Sequence, residues 1–137
     1  MNKYAISDDK SKLEINFVHS FLTNSYWGKG RTFEDVKETI ENSDCFGIYD
    51  SDKQIGFARV VSDHVIFAYL FDVFIIEEYR GRGLSKTLLN AVFESSKYKK
   101  VRKWYLATRD AHGLYQKFGF QPLANPEILM EKVINRK

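Results

Sequence analysis

The chain has 137 residues, 44% of them hydrophobic and 28% charged, with 21 basic against 18 acidic side chains and a formal net charge of +3. That length suits one domain with one core, and the composition is that of an ordinary folded protein. The charge excess is too small to commit the surface to nucleic acid, and the single Cys45 excludes both an internal disulfide framework and a cysteine-built zinc site. No apolar run approaches the roughly 18 residues of a membrane span, and the first residues lack the apolar core of a signal peptide. With no repeat, low-complexity tract or linker, the expectation is a single domain over residues 1–137, cytoplasmic, with neither membrane nor nucleic-acid partner.

Residues 3–7 read as a short edge strand. Asp8, Asp9 and Ser11 offer capping side chains for a helix whose apolar face is Leu13, Phe17, Val18, Phe21 and Leu22, ending near Asn24. The segment Ser25-Tyr26-Trp27-Gly28-Lys29-Gly30 carries two readings: a loop whose Trp27 plugs the edge of the core, or a mobile lid over a binding site. Thr32 caps a second helix with Phe33, Val36 and Ile40 inward. The period then changes. Residues 45–49 and 55–61 flank the polar Asp50-Ser51-Asp52-Lys53, which predicts a hairpin with a loop of about four residues. Asp63-His64 reverses the chain into residues 65–76, an apolar run suited to a central strand buried on both faces. Asp72 interrupts that run, and a carboxylate there is costly unless it is hydrogen-bonded or used.

Residues 73–86 hold the most informative pattern. An apolar strand passes through Glu77-Glu78 to Arg80-Gly81-Arg82-Gly83 and runs into Leu84, Leu88, Ala91 and Val92, the stripe of an amphipathic helix. The glycines sit where backbone N–H groups at a helix start lack partners and the macrodipole is positive. Without Cβ atoms an anion can approach those amides, and arginines beside them suit phosphate. The pattern reads as a pyrophosphate cradle. It is not a Rossmann fingerprint, because Lys86 stands where a third small residue belongs, and it lacks the Gly-Lys-Ser/Thr ending of a Walker A loop. After the helix over residues 83–96, the basic stretch 97–103 reads as a solvated turn. Residues 104–108 form the next strand and Asp110 caps a short helix through Tyr115 and Lys117, closed by Gly119. Pro122 and Pro126 bracket a loop, and residues 128–134 offer a last strand.

The strand followed by Arg-Gly-x-Gly-Leu-Ser and a helix resembles motif A of the GNAT superfamily of N-acetyltransferases. Residues 106–120, with their Leu-Tyr-x-Lys-x-Gly-Phe ending, are similar to motif B of the same superfamily. The order helix, helix, hairpin, strand before motif A extends the likeness over nearly the whole chain. The Tyr-Trp-x-Lys-Gly loop and the Asp-Ala-His-Gly-Leu-Tyr turn look like one uncharacterised bacterial branch.

That resemblance implies an α/β (α+β) fold: a central mixed, mostly antiparallel twisted sheet of about six or seven strands flanked by about four helices, with two parallel strands splayed apart. It implies acetyl-CoA as co-substrate, no metal, and direct ternary-complex transfer of the acetyl group to a primary amine of a small molecule or peptide. A CoA-binding sensor or partner-binding module that has lost the chemistry is the alternative, and a homodimer through an edge strand stays open. By the same resemblance the pyrophosphate falls to Arg80, Gly81, Arg82, Gly83, Leu84, Ser85 and Lys86. Backbone groups of Val73, Phe74 and Ile75 fall to the pantetheine amides and thioester oxygen, and Thr108 to a donor contact where many members carry Asn. Tyr115 is carried over as general acid, since a phenol can protonate a departing thiolate. No Glu occupies the site some members use as base; Tyr69 stands near it, with Asp72 close by. Asp72 is thus either structural or a group that orders the acceptor amine. His112 reads as orienting the short helix, His19 as a helix-surface residue and His64 as a turn residue.

Overall fold

The computed structural model describes residues 3–135, which fall into two compact units, one up to Ala107 and one from Thr108. The first contains β1 (Tyr4–Ser7), α1 (Ile15–Thr23), α2 (Phe33–Glu41), β2 (Asp44–Asp50), β3 (Lys53–Ser62), β4 (Phe67–Ile75), α3 (Leu84–Phe93) and β5 (Lys103–Tyr105). The second holds α4 (His112–Gln116) and a 3-10 turn at Pro126–Ile128. The sheet order is β1-β2-β3-β4-β5, antiparallel throughout except for the parallel pair β4–β5. This is the mixed, mostly antiparallel sheet with flanking helices that the resemblance implies, with five strands among the described residues rather than six or seven.

Two layers of helix enclose the sheet because its strands alternate. Cys45, Phe57 and Phe74 face Val18 and Leu22 of α1 and Val36 and Ile40 of α2 in one buried cluster. Phe74 stacks on Phe21 with ring centroids 3.8 Å apart. The opposite face, with Phe46, Ile48, Ala58 and Val60, is left for α3, which packs on β2, β3 and β4 and buries Leu84, Leu88, Leu89 and Val92. Thr32 caps α2 as its type suggests, accepting the Asp35 N–H at 3.0 Å. Asp9 caps only a short 3-10 turn, and α1 begins five residues beyond Lys10, at Ile15.

Three expectations on strands are corrected. The β2–β3 loop has two residues, Ser51 and Asp52, because Ser51 takes a left-handed φ of 54° that closes the hairpin tightly. The run 65–76 yields a strand only over Phe67–Ile75, since Asp63 Oδ1 accepts the N–H groups of Val65, Ile66 and Phe67 and holds them in a turn. Residues 128–134 form no strand: Ile128, Leu129, Met130, Val133 and Ile134 are exposed, and their apolar residues come in blocks without the alternation that makes one buriable face.

The end of α2 and the β3–β4 turn are tied by Asp44, which accepts from His64 Nε2 at 2.6 Å and from the Tyr98 hydroxyl at 2.9 Å. Burial works to raise this carboxyl, but the two hydrogen bonds outweigh it and leave it below the ordinary carboxylate range. Burial and the same Asp44 hydrogen bond push Tyr98 up. A depressed carboxyl stabilises the fold above the unfolded-state value near 4 and loses that contribution as pH falls through the folded value. Thermal melts from pH 6 down to pH 2.5 should therefore show stability falling below about pH 4, with a shallower fall in Asp44→Asn.

Candidate active site

The stretch from Ile75 to Thr87 joins the end of β4 to the start of α3. Ile76 leads into the 3-10 turn Glu77–Tyr79, whose cap returns the Arg80 N–H to Glu77 O. Gly81 and Gly83 then take φ values of 81° and 74°, the left-handed region where a side chain is strained. A Cβ at either position would meet no protein atom within 4 Å. Gly83 is the N-cap of α3 and contributes no side chain to the cap. Thr87 N–H closes on Gly83 O at 3.2 Å, but the amides of Gly81, Arg82, Gly83, Leu84, Ser85 and Lys86 meet no acceptor among the described residues. No acidic residue sits in the first turn of α3. These open N–H groups are gathered at the positive end of a helix dipole, an arrangement that suits an anion.

The arginines of this turn brace it. Arg80 Nε donates to Ile75 O at 2.9 Å. Arg82 lies over the Tyr79 ring at 4.9 Å and donates to the Tyr4 hydroxyl at 3.0 Å and to Glu78 O at 3.4 Å. Tyr79 donates in turn to Asp50 at 2.7 Å, so the turn is strapped to β1 and the β2–β3 hairpin.

Immediately before the turn, one edge of β4 is unpaired among the described residues. It pairs with β5 only from Phe67–Lys103 to Tyr69–Tyr105. Beyond Tyr69, β4 stays bonded to β3 on its other side through Ile75–Gly56, with a register irregularity between Phe57 and Arg59. Bonded and unbonded pairs alternate in an antiparallel ladder. Ile76 N–H donates to Ile55 O at 2.9 Å, so Phe74 opposite Phe57 is the next bonded pair. Val73 and Ile75 turn their backbone groups to the bare edge. Ile75 O is met by Arg80, which leaves the Ile75 N–H and both groups of Val73 without a partner among the described residues. Of the three residues expected here, Phe74 is the one whose main chain is used within the sheet and whose ring belongs to the core.

The kink that precedes this edge is Asp72, a non-glycine residue at φ 56°. Its side chain is 1% exposed and fully engaged. Oδ1 accepts from Trp27 Nε1 at 2.9 Å and Arg31 Nη1 at 3.0 Å; Oδ2 accepts from Arg31 Nη1 and Arg59 Nε, both at 2.9 Å. Arg59 also donates to Ser43 Oγ at 3.0 Å and covers the Phe71 ring at 4.4 Å. Tyr69 stacks on that ring, with centroids 4.4 Å apart. The loop between α1 and α2 is therefore pinned to β4 through Trp27 and Arg31. It is further closed by Gly28 N–H on Ser25 Oγ at 3.0 Å and Gly30 N–H on Thr23 O at 3.2 Å, so Trp27 is an anchor and the loop is no free lid. Neither arginine stands out by motif. The available signal was a lone cation, Arg59, in one apolar strand and a lone carboxylate, Asp72, in the next.

In the second unit, Thr108 Oγ1 accepts the Ala111 N–H at 3.1 Å, so its hydroxyl closes the turn into α4. His112 and Tyr115 lie on α4, and Tyr115 meets Phe120 edge to face at 5.9 Å. Cys45 is buried in the first core, and burial pushes its thiol up to about 11. A recess of about 570 Å³ lined by Val65, Ile66, Lys99, Lys100, Val101 and Arg102 lies at the paired ends of β4 and β5, the end remote from the glycine turn. Among the described residues no group of three His, Cys, Asp or Glu side chains is placed to hold a metal ion, and no helix is long and apolar enough to cross a membrane.

Residues 41–122 match the acetyltransferase (GNAT) domain family. A crystal structure of a candidate acetyltransferase belonging to the GNAT family, from Xanthomonas campestris pv. campestris, is similar over 98% of this chain and 95% of its own. The TM-score is 0.94 and the identity 42%. A GNAT family acetyltransferase from Elizabethkingia anophelis with acetyl-CoA bound shares the fold at TM-score 0.70 and 16% identity, over 98% of this chain and 90% of that one. A candidate acetyltransferase of Gibberella zeae is 24% identical over 135 residues, covering 83% of this chain and 76% of that protein. The chain spans about half the length of other curated relatives it matches.

The Asp72 network makes a stability prediction. Removing the carboxylate leaves Arg59, whose side chain is only 9% exposed, without a counter-charge. Asp72→Ala should cost about 3–5 kcal/mol in urea unfolding, and Asp72→Asn less. A loss below about 1 kcal/mol for the alanine variant, the range of a surface pair, would contradict the arrangement.

Proposed function

The chain belongs to the acetyltransferase (GNAT) family, and we propose that it transfers the acetyl group of acetyl-CoA directly to a primary amine of a small molecule or peptide, within a ternary complex. The observation that carries this reading is the row of unmet amides from Gly81 to Lys86, set directly after a strand edge with free N–H and C=O groups at Val73 and Ile75. A diphosphate suits the first and an extended chain of amides suits the second, and acetyl-CoA has both in that order. The acetyl-CoA bound to the family member from Elizabethkingia anophelis supports the same donor.

In this scheme the amine nitrogen attacks the thioester carbonyl, the C–N bond forms and the C–S bond breaks. A main-chain N–H of Val73 or Ile75 directed at the carbonyl oxygen gains strength as negative charge develops there. The departing thiolate takes the proton of the Tyr115 hydroxyl, and the phenolate is restored by the proton the amine gives up through water. Thr108 fixes the turn into α4 through the Ala111 N–H. Asp72 has no free lone pair aimed outward, so it serves to position the β4 kink, and the Tyr69 hydroxyl is the polar group of that strand left to guide the amine's proton to water. Direct transfer is favoured over a cysteinyl intermediate because the Cys45 thiolate is scarce at neutral pH.

The one observation that favours the alternative, a CoA-binding module without turnover, is that Asp72, the single carboxylate on β4, has both oxygens engaged. Both are tested by following free thiol release with acetyl-CoA and a panel of amines. Turnover is expected, and Tyr115→Phe should lower kcat by about 10²-fold or more while donor affinity changes little. Undiminished kcat in that variant would remove Tyr115 from its role, and tight CoA binding with no turnover on any amine would favour the binding module.

A further inference from the structure

We propose that Arg31 is the anchor for a carboxylate on the acceptor, so that the amine this enzyme acetylates is amino-acid-like rather than a polyamine or a neutral amine. The proposal rests on the acetyltransferase reading above and deepens it. Two guanidinium groups share the single Asp72 carboxylate, and neither has a second salt-bridge partner among the described residues, which leaves the three-residue cluster one positive charge in excess. Arg59 is the enclosed member, 9% exposed, with Nε on Asp72, Nη1 on Ser43 and its plane over Phe71. The excess charge is thus presented by Arg31, whose side chain is 27% exposed.

Arg31 is also held in one pose. Its Nη1 is chelated by both Asp72 oxygens, its backbone N–H donates to Gly28 O at 3.0 Å, and its carbonyl accepts from His19 Nε2 at 2.9 Å. Its Nε and Nη2 meet no acceptor among the described residues. Those two nitrogens form the side-on fork that matches a carboxylate with two parallel hydrogen bonds, and a pre-positioned fork loses little entropy on binding. Beside it stand the partly exposed rings of Trp27 and Tyr26, which meet edge to face at 5.2 Å and offer an apolar wall. The Asp72 that fixes Arg31 is the residue directly before Val73, whose backbone groups face the bare edge of β4. A carboxylate gripped there brings the attached amine to the strand that presents the thioester. A polyamine would instead meet net positive charge.

The test compares phenylalanine with phenylalaninamide as acceptors, and N-acetylphenylalanine with its amide as unreactive ligands of the CoA-saturated enzyme measured by calorimetry. The amide is the less basic amine, so intrinsic reactivity at neutral pH favours it and a preference for the acid reports recognition. The acid forms are expected to win by about tenfold or more in kcat/KM and in Kd. In Arg31→Gln, which keeps the Arg59–Asp72 pair, the preference should shrink to about twofold or less with acetyl-CoA affinity unchanged. Arg31→Lys, with the charge but not the fork, should recover only part of it. Equal binding of the acid and amide ligands by the unmodified enzyme, discrimination that survives in Arg31→Gln, or a stronger preference for phosphoethanolamine over the amino acid would each overturn the anchor. If the ligand pair discriminates but neither amine is acetylated, the transfer reading fails and the anchor stands. If both amines are acetylated equally, the anchor fails and transfer stands.

Discussion

Everything in the first unit depends on a parallel strand pair that stops pairing early. β4 and β5 are joined for three residues, and then β4 kinks at Asp72 through a conformation that costs an L-residue roughly 1–2 kcal/mol. The cost is offset by two arginines and an indole that converge on the Asp72 carboxylate and would lose their acceptor if the strand straightened. What the kink yields is a buried strand with one bare edge, an arrangement otherwise avoided in sheets. A bare edge in the middle of a fold is tolerable where another extended backbone lies in it, and in the proposed function that backbone is the pantetheine arm of acetyl-CoA.

The glycine turn stands at the end of that edge because of how β4 leaves the sheet. Strain is confined to Gly81 and Gly83, where it is small. The arginines of the turn also act as braces, held on Ile75 O, Tyr79 and Tyr4. The main-chain amides and the helix dipole keep their arrangement independent of long side chains. On the other side of the kink, the same Asp72 that bends the strand also orients Arg31. In the proposed reading, donor geometry and acceptor charge are thus tied to one carboxylate.

Much of this was legible in residue order alone. The turn could be read because its signal is local: a β-branched strand, two glycines and a helical stripe within 20 residues. The helices over residues 33–41 and 84–93 were readable for the same reason. What could not be read was set by pairing between distant segments. Residues 128–134 look apolar enough for a strand, but a strand is made by a neighbour and none is met among the described residues. The Arg31–Asp72–Arg59 cluster draws on three segments separated by 28 and 13 positions, and its parts look in sequence like isolated charges in apolar surroundings. The rule that a buried charge needs a partner reduces Asp72 to a short list of arginines, but only the folded register says which.

The central claim is that main-chain N–H groups at the start of α3 hold a diphosphate while the edge of β4 holds the amide chain that follows it. Amide chemical-shift mapping separates the two halves directly. On titration with CoA, the N–H signals of Gly81, Gly83, Ser85 and Lys86 should move together with those of Val73 and Ile75; with pantetheine, which lacks the diphosphate, only the strand signals should respond. Saturable CoA binding that leaves the amides between Gly81 and Lys86 unmoved would contradict the account.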